Sequence, residues 1–127
     1  MASSSSASKL DPVSAVQKAY DFMLWMFPHV ARYPKEHKFA LGDSIRTSTL
    51  SVLELLIEAQ YSREKLKALE RANRRIEVLR YLLRASHDLK CLSASQYEHG
   101  IKLLHNAGAE VGGWIKQQTR KAGKPSR

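Results

Sequence analysis

The stretch from residue 62 to residue 89 constrains the fold of this chain more than any other. Its apolar side chains recur every three or four positions, so they fall within one narrow arc of a helix. Such an arc presents an apolar ridge to a core. We therefore predict one long helix over residues 62–89, whose seam in a bundle consists of Leu69, Ala72, Ile76, Leu79 and Leu83.

The same predicted helix carries a second arc, roughly a quarter-turn or more from the seam. A monomer needs no second apolar ridge there. Two interpretations stay open: a wide surface that faces the core, or a subunit interface beside an anion-binding patch. The basic candidates for anion binding are Lys67, Arg71, Arg74 and Arg75, and the apolar candidates for contacts between subunits are Val78, Leu82, Ala85 and Leu89.

The composition favours an all-α fold. The 127 residues suffice for one domain and are too few for two. β-branched residues are sparse, and no Asn-Gly or Asp-Gly pair signals a hairpin. We predict an antiparallel up-down four-helix bundle over residues 11–119, between a disordered Ser-rich leader over residues 1–10 and a disordered basic tail over residues 120–127.

The first predicted helix spans residues 12–32. Asp11 is its expected N-cap, and Pro12 suits the first helical position because no amide donor is missed there. Pro28 removes a helical hydrogen bond, so it should kink the last turn or end the helix early. The predicted seam consists of Val16, Tyr20, Met23, Phe27 and Val30.

The second helix is predicted over residues 38–60 and the fourth over residues 94–119. Ser93 and Gln96 form a capping box for the fourth helix. This helix also holds glycines that each cost about 1 kcal/mol against alanine. Either a neighbouring backbone or large ring comes close to them, or the helix is locally loosened. These glycines are Gly100, Gly108, Gly112 and Gly113.

The positive charge lies in one half of the chain. The net charge is +9, and residues 1–62 carry six Lys or Arg against six Asp or Glu, whereas residues 63–127 carry fifteen against six. Such an asymmetry indicates an anionic partner, either a nucleic acid or an acidic protein, unless it is simply a solvated face. Lys116, Arg120 and Lys121 are weaker candidates for this contact, because basic residues in a last turn also suit the helix dipole.

A reducing cytoplasmic location fits the sequence. The single Cys91 excludes an internal disulfide and is expected to be a small, half-buried apolar residue. The first ten residues lack the apolar core of a signal peptide, and the longest run of large apolar residues, 22–27, is too short to span a membrane. We expect no membrane association.

The sequence shows no catalytic or metal-binding pattern. No Glu-x-x-His pair of the kind that builds a di-iron site occurs, and no two histidines are spaced i, i+4. A phosphate loop and a Gly-x-Ser-x-Gly motif are also missing. We therefore expect no catalytic residue, no metal and no cofactor, which favours a binding protein over a small enzyme.

A series of short motifs runs from the connection after the first helix to the end of the fourth. The connection and the glycine-containing end of the fourth helix are the more specific of them. In chain order the motifs are Tyr33-Pro34-Lys35, Lys38-Phe39-Ala40-Leu41-Gly42, Leu53-Glu54-Leu55-Leu56-Ile57-Glu58-Ala59, Leu79-Arg80, Leu82-Leu83-Arg84, Gln96-Tyr97 and Gly112-Gly113-Trp114-Ile115-Lys116.

Over residues 20–118 this order of motifs resembles Avd, the accessory variability determinant family of diversity-generating retroelements. The resemblance implies a four-helix bundle that assembles into a positively charged pentameric barrel. It also implies a binding partner, the retroelement's reverse transcriptase, which copies a template RNA with errors at adenines so that the mutated cDNA replaces a variable region of a target gene.

A related family with the same bundle is encoded within intervening sequences of ribosomal RNA genes. The motif over residues 112–116 favours the retroelement branch. Two hypotheses therefore remain: an accessory protein that binds reverse transcriptase and RNA or DNA, or a structural bundle without a retroelement role. The arc of Lys67, Arg71, Arg74 and Arg75 favours the first, because no carboxylate is interleaved within it.

Overall fold

The fold comes from a computed structural model, which describes residues 12–123. The described chain consists of four long helices and forms no strand. Each helix packs beside the next in sequence, and the fourth also packs beside the first. This is the arrangement of a four-helix bundle, as predicted. The helices are α1 (Pro12–Ala31), α2 (Asp43–Tyr61), α3 (Lys65–Asp88) and α4 (Ala94–Gly123).

The seam predicted for α3 is confirmed. All five of its residues are buried, and the same face adds small side chains at either end. Burying one leucine is worth about 1.5–3 kcal/mol, so this ridge is a large part of the core's stability. The buried residues of α3 are Ala68, Leu69, Ala72, Ile76, Leu79, Leu83 and Ser86.

The seam predicted for α1 is confirmed at Val30, which is buried, and in part at Val16, which is half-buried and packs against the core, but it is not the main buried ridge. The helix has its predicted extent and continues through Pro28 to Ala31, so that proline does not end it early. However, Tyr20 is exposed, and the core is reached by a neighbouring ridge. The two ridges have the same spacing, and α1 is apolar around most of its circumference, so periodicity alone does not select the buried one. The buried residues are Ala15, Ala19, Phe22, Met26 and Val30.

The connection from α1 to α2 ends in a π-helical segment. A single helical turn, Lys35–His37, leads into the π-helix Lys38–Gly42, and α2 begins only at Asp43. Gly42 is buried against α1, where an added Cβ would lie 2.9 Å from Val30 Cγ1. The segment therefore packs closely against the end of α1, where the sequence predicted the first turns of an α-helix.

Two short turns complete the bundle. Between α2 and α3 the Lys65 ammonium donates to the carbonyl oxygens of Ala59, Gln60 and Ser62 at 2.8, 3.1 and 3.0 Å. The helix α3 thus begins three residues later than predicted. The Ser62 hydroxyl still accepts a hydrogen bond of 2.9 Å, from the amide of Glu64.

The turn between α3 and α4 contains the predicted capping box. The Ser93 amide donates to Gln96 Oε1 at 2.8 Å, and the Gln96 amide donates to Ser93 Oγ at 3.1 Å. Before it, the Cys91 amide donates to the Ser86 carbonyl at 2.7 Å and the Lys90 amide to the His87 carbonyl at 3.0 Å. This is a Schellman motif, and Lys90 occupies its left-handed position with φ 67°.

The helix α4 is longer than predicted. It continues to Gly123, four residues past the expected boundary at residue 119, because Gln, Arg and Lys are good helix formers. Residues 1–11 and 124–127 lie outside the described part of the chain. The predicted N-cap Asp11, the whole of the predicted leader and the last four residues of the predicted tail lie there, whereas residues 120–123 of that tail are helical.

The expected close approach to the glycines of α4 is confirmed at Gly100. An added Cβ there would lie 2.9 Å from Leu83 Cδ2 and 2.9 Å from Trp25 Cζ3. At Gly108 the neighbour is the side chain of Arg80, whose Nη2 would lie at 3.0 Å. At Gly112 the expectation is wrong, since nothing lies within 4 Å.

Candidate nucleic-acid and subunit interface

The basic half of the second arc of α3 is exposed to solvent. All four of its residues have exposed side chains, and we call them the α3 arc: Lys67, Arg71, Arg74 and Arg75. Lys67 lies 4.0 Å from Glu64, and both side chains are exposed, so this ion pair is weak. Within residues 12–123 no ion pair involves the three arginines. The guanidinium groups are therefore free to bind an external anion.

Where the basic half of the arc meets its apolar half, α3 forms one wall of an open groove. The other wall is the π-helix and the first turns of α2. Val78 is 39 % exposed and Phe39 is 69 % exposed. We call this surface the α3 groove and define it by Phe39, Arg75, Val78 and Leu82.

The apolar half of the second arc divides into a part that packs against the core and a part that is exposed. Leu82 is half-buried and packs against the core. Val78 remains exposed, as does Leu89, which is 48 % exposed at the end of the arc. Ala85 is half-buried between them. The arc is thus partly a core-facing surface, and of its exposed apolar residues Val78 lines the α3 groove.

Phe39 was missed by the sequence reasoning because its direction depends on the π-helix. If α2 continued backwards as an α-helix, Phe39 would lie eleven residues before Leu50 and on the same arc. The π-helix holds about one extra residue, which rotates what precedes it by about 100°. Phe39 therefore lies beside Thr47 and Arg75 in the groove.

The three basic residues predicted near the end of α4 do not all join the α3 arc. Lys121 and Lys67 line one depression at the end of the bundle, together with Arg63. Lys116 and Arg120 are exposed on the outward face of α4, because Trp114 is buried and Lys116 is about 200° away from it. Arg63 was missed because only the tertiary fold brings the start of α3 to the end of α4.

A buried hydrogen-bond chain holds α3 in place behind the groove. The Tyr33 hydroxyl donates to Ser86 Oγ at 2.7 Å, and Ser86 Oγ donates to the Leu82 carbonyl at 2.8 Å. Burial raises the pKa of Tyr33 to about 12, although the hydrogen bond from its hydroxyl to Ser86 lowers it somewhat. The phenol is therefore neutral at physiological pH and fixes the connection after α1 against α3.

The described residues offer no obvious catalytic or metal centre. Cys91 is half-buried, and burial raises the pKa of its thiol, so it is a poor nucleophile at neutral pH. No cluster of three His, Cys, Asp or Glu side chains within residues 12–123 is arranged to bind a metal. No helix in that part of the chain combines the length and apolar character needed to cross a membrane.

The fold and this surface define a class: a basic four-helix bundle with an unpaired arginine arc beside an apolar groove. The family model described as bAvd-like matches residues 13–118, and the chain belongs to that family. The resemblance to Avd found in the sequence motifs is thereby confirmed. Among curated proteins, none matches this chain.

Proposed function

We propose that this chain is the non-enzymatic accessory protein of a diversity-generating retroelement. It binds the retroelement's reverse transcriptase together with template RNA or cDNA, and so supports mutagenic retrohoming. Membership of the bAvd-like family supports the accessory role. The observation that carries the binding role is the α3 arc, whose three arginines have no ion-pair partner within residues 12–123.

The chemistry of the arc suits nucleic acid whose sequence is not read. Lys and Arg contacts to phosphates supply affinity without reading bases. Arginine also binds phosphate through two parallel hydrogen bonds, and it is the preferred cation at protein interfaces. The same surface can therefore hold RNA or DNA and an acidic part of the reverse transcriptase.

The working unit is a homo-oligomer, with five subunits by analogy to Avd. The apolar half of the second arc of α3, with Val78, Leu82, Ala85 and Leu89, contributes to the contacts between subunits. Phe39 adds an aromatic side chain to them. An exposed aromatic residue beside an arginine is typical of the residues that dominate interface energies. Repetition of a weak phosphate site around an oligomer would raise the total affinity without any new contact.

Co-purification with the reverse transcriptase encoded in the same retroelement tests the proposal. We expect a complex that withstands physiological salt, and cDNA synthesis from the template RNA that requires both proteins. If no complex forms even at low salt, or if synthesis proceeds equally without this chain, the retroelement role is wrong. A basic bundle of the ribosomal-RNA intervening-sequence type would then be the better description.

A further inference from the structure

The α3 arc joins two depressions of the protein surface. At one end of the arc Arg75 lines the α3 groove, and at the other end Lys67 lines the depression at the end of the bundle. We call the latter the end depression and define it by Arg63, Lys67, Gln118 and Lys121. Positive charge therefore continues beyond the arc, at the end of the bundle where α3 begins.

The cations of the arc follow the axis of α3. Lys67, Arg71 and Arg75 are each four residues apart, so successive members lie about 6 Å from one another along the axis and on one side of the helix. All three side chains are exposed. Glu70 lies beside this line, but within residues 12–123 no ion pair joins it to a cation. The line can therefore contact successive phosphates of one strand.

The end depression lies on the end of the bundle, whereas the arc lies on its side. Gln118 and Lys121 are four and seven residues after Trp114, the last buried residue of α4, so they continue its inward face past the core. This part of α4 and the first turn of α3 line the same depression. A chain of phosphates along the outside of α3 has to bend over that first turn to enter it.

The end depression is positive on balance. Arg63, Lys67 and Lys121 contribute three cations, and Glu64 is the one carboxylate among the residues that line it. Glu64 pairs only weakly with Lys67, at 4.0 Å with both side chains exposed. Lys65 adds no available cation, because its ammonium already donates to three carbonyl groups. Arg63 and Lys121 form no ion pair within the described part of the chain.

We infer that a single strand of RNA or DNA follows the α3 arc and bends over the first turn of α3 into the end depression, where Arg63 and Lys121 bind its phosphates. The inference rests on the nucleic-acid binding in the proposed function, and it adds a path and a preference for single strands. A positively charged surface that tracks the backbone is typical of single-strand binding. Duplex DNA is stiff, with a persistence length of about 150 bp, so a duplex contacts the arc without entering the depression.

Replacing Arg63 and Lys121 together by Gln tests this path. Both side chains are exposed, and the change removes two cations without adding a negative charge. Fluorescence anisotropy at several salt concentrations measures the binding of one labelled oligonucleotide, made as single-stranded RNA, as single-stranded DNA and as a blunt duplex. Each lost phosphate contact reduces the salt dependence by about 0.7, so binding of either single strand should weaken about tenfold at physiological salt. Binding of the duplex should be unchanged.

The matched control is Lys35→Gln with Lys102→Gln, which removes two exposed cations at sites away from the end depression. It should bind single strands as the parent does. Circular dichroism should show the parent's helix content in both double variants. Equal weakening of single-strand binding by the two double variants would mean that only net charge matters, and the inferred path would be wrong.

The other outcomes separate this inference from the proposed function. If the parent binds neither single strands nor the duplex, the nucleic-acid part of the proposed function fails, and the path fails with it. If the parent binds and Arg63→Gln with Lys121→Gln binds single strands equally well, the path ends at the arc and the proposed function stands. If that variant loses single-strand and duplex binding to the same extent, the strand does not bend over α3 and the preference for single strands is wrong.

Discussion

The Tyr33 hydroxyl donates a hydrogen bond of 2.7 Å to Ser86 Oγ, joining two residues that are 53 positions apart in the chain. Both side chains are buried. The contact fastens the connection after α1 to the last turns of α3, where Ser86 also supplies the carbonyl of the Schellman motif. One serine therefore links three parts of the bundle.

Replacing Tyr33 by Phe should lower the free energy of unfolding by about 1–2 kcal/mol at neutral pH, because Ser86 Oγ loses its donor. Denaturant titration followed by circular dichroism measures this. Tyr61→Phe is the matched control, since Tyr61 is exposed and should show almost no change.

The same residue should make stability fall at alkaline pH. The folded pKa of Tyr33, about 12, is above its ordinary value of 10.0, so the stabilisation is complete below pH 10 and is lost as pH rises through 12. The denaturant midpoint of the parent should therefore drop more between pH 10 and pH 12 than that of Tyr33→Phe. Equal slopes for the two proteins would mean that Tyr33 is not buried as described.

Lys90→Gly should raise the free energy of unfolding by about 1 kcal/mol, because a side chain at a left-handed position is strained by about 1–2 kcal/mol and glycine is not. The melting temperature measures this. Lys90→Ala removes the same charge and keeps the strain, so it should not stabilise. If Lys90→Gly and Lys90→Ala melt at the same temperature, the left-handed backbone of Lys90, with φ 67°, does not strain the folded state.

Gly100→Ala and Gly112→Ala form a matched pair within α4. The first places a methyl group 2.9 Å from both Leu83 and Trp25, and overpacking of this kind costs about 1–3 kcal/mol. The second meets nothing within 4 Å and should gain up to about 1 kcal/mol of helix propensity. Opposite shifts in melting temperature are expected, and shifts of the same sign would contradict the packing.

Changing Arg71, Arg74 and Arg75 together to Glu should abolish binding to labelled single-stranded RNA or DNA. In a plot of the logarithm of the binding constant against the logarithm of the salt concentration, any residual binding should have a slope smaller in magnitude by about 2. Each lost phosphate contact removes about 0.7 from that slope. Fluorescence anisotropy at several salt concentrations measures both.

The control for that experiment is a triple variant of equal charge change at exposed sites elsewhere, Lys35→Glu, Arg84→Glu and Lys102→Glu. It should keep most of the parent's affinity. If both triple variants lose binding equally, only the net charge matters and the α3 arc is a solvated face.

The buried face of α3 could be predicted from sequence because its apolar and charged residues are cleanly separated. Leu69, Ile76 and Leu83 have large apolar side chains, and the arginines lie a quarter-turn or more away from them. On α1 the same reasoning failed, because Tyr20 and Phe27 are as apolar as the buried Phe22 and Met26. Small alanines at positions 15 and 19 select the face that packs closely, which spacing does not show.

The candidate site was predicted only in part. The arginines of the α3 arc follow from spacing within one helix, whereas Phe39 depends on a π-helix that has no clear signal in the sequence. The proximity of Lys121 to Lys67 requires α4 to continue past its predicted end. Spacing in the sequence shows which residues share a face of one helix, but not how that helix is rotated against its neighbour. Contacts between helices are therefore left undetermined by the sequence.

The three hydrogen bonds of the Lys65 ammonium have a consequence for how the bundle opens. A single side chain, that of the first residue of α3, binds two carbonyl groups in the last turn of α2 and the carbonyl of Ser62 just after it. Separating these helices would strip three carbonyls of their donor at once, so local fraying there is suppressed. The α2–α3 hairpin should behave as one cooperative unit, with amides at its turn side that exchange with deuterium more slowly than those at the free end of α4.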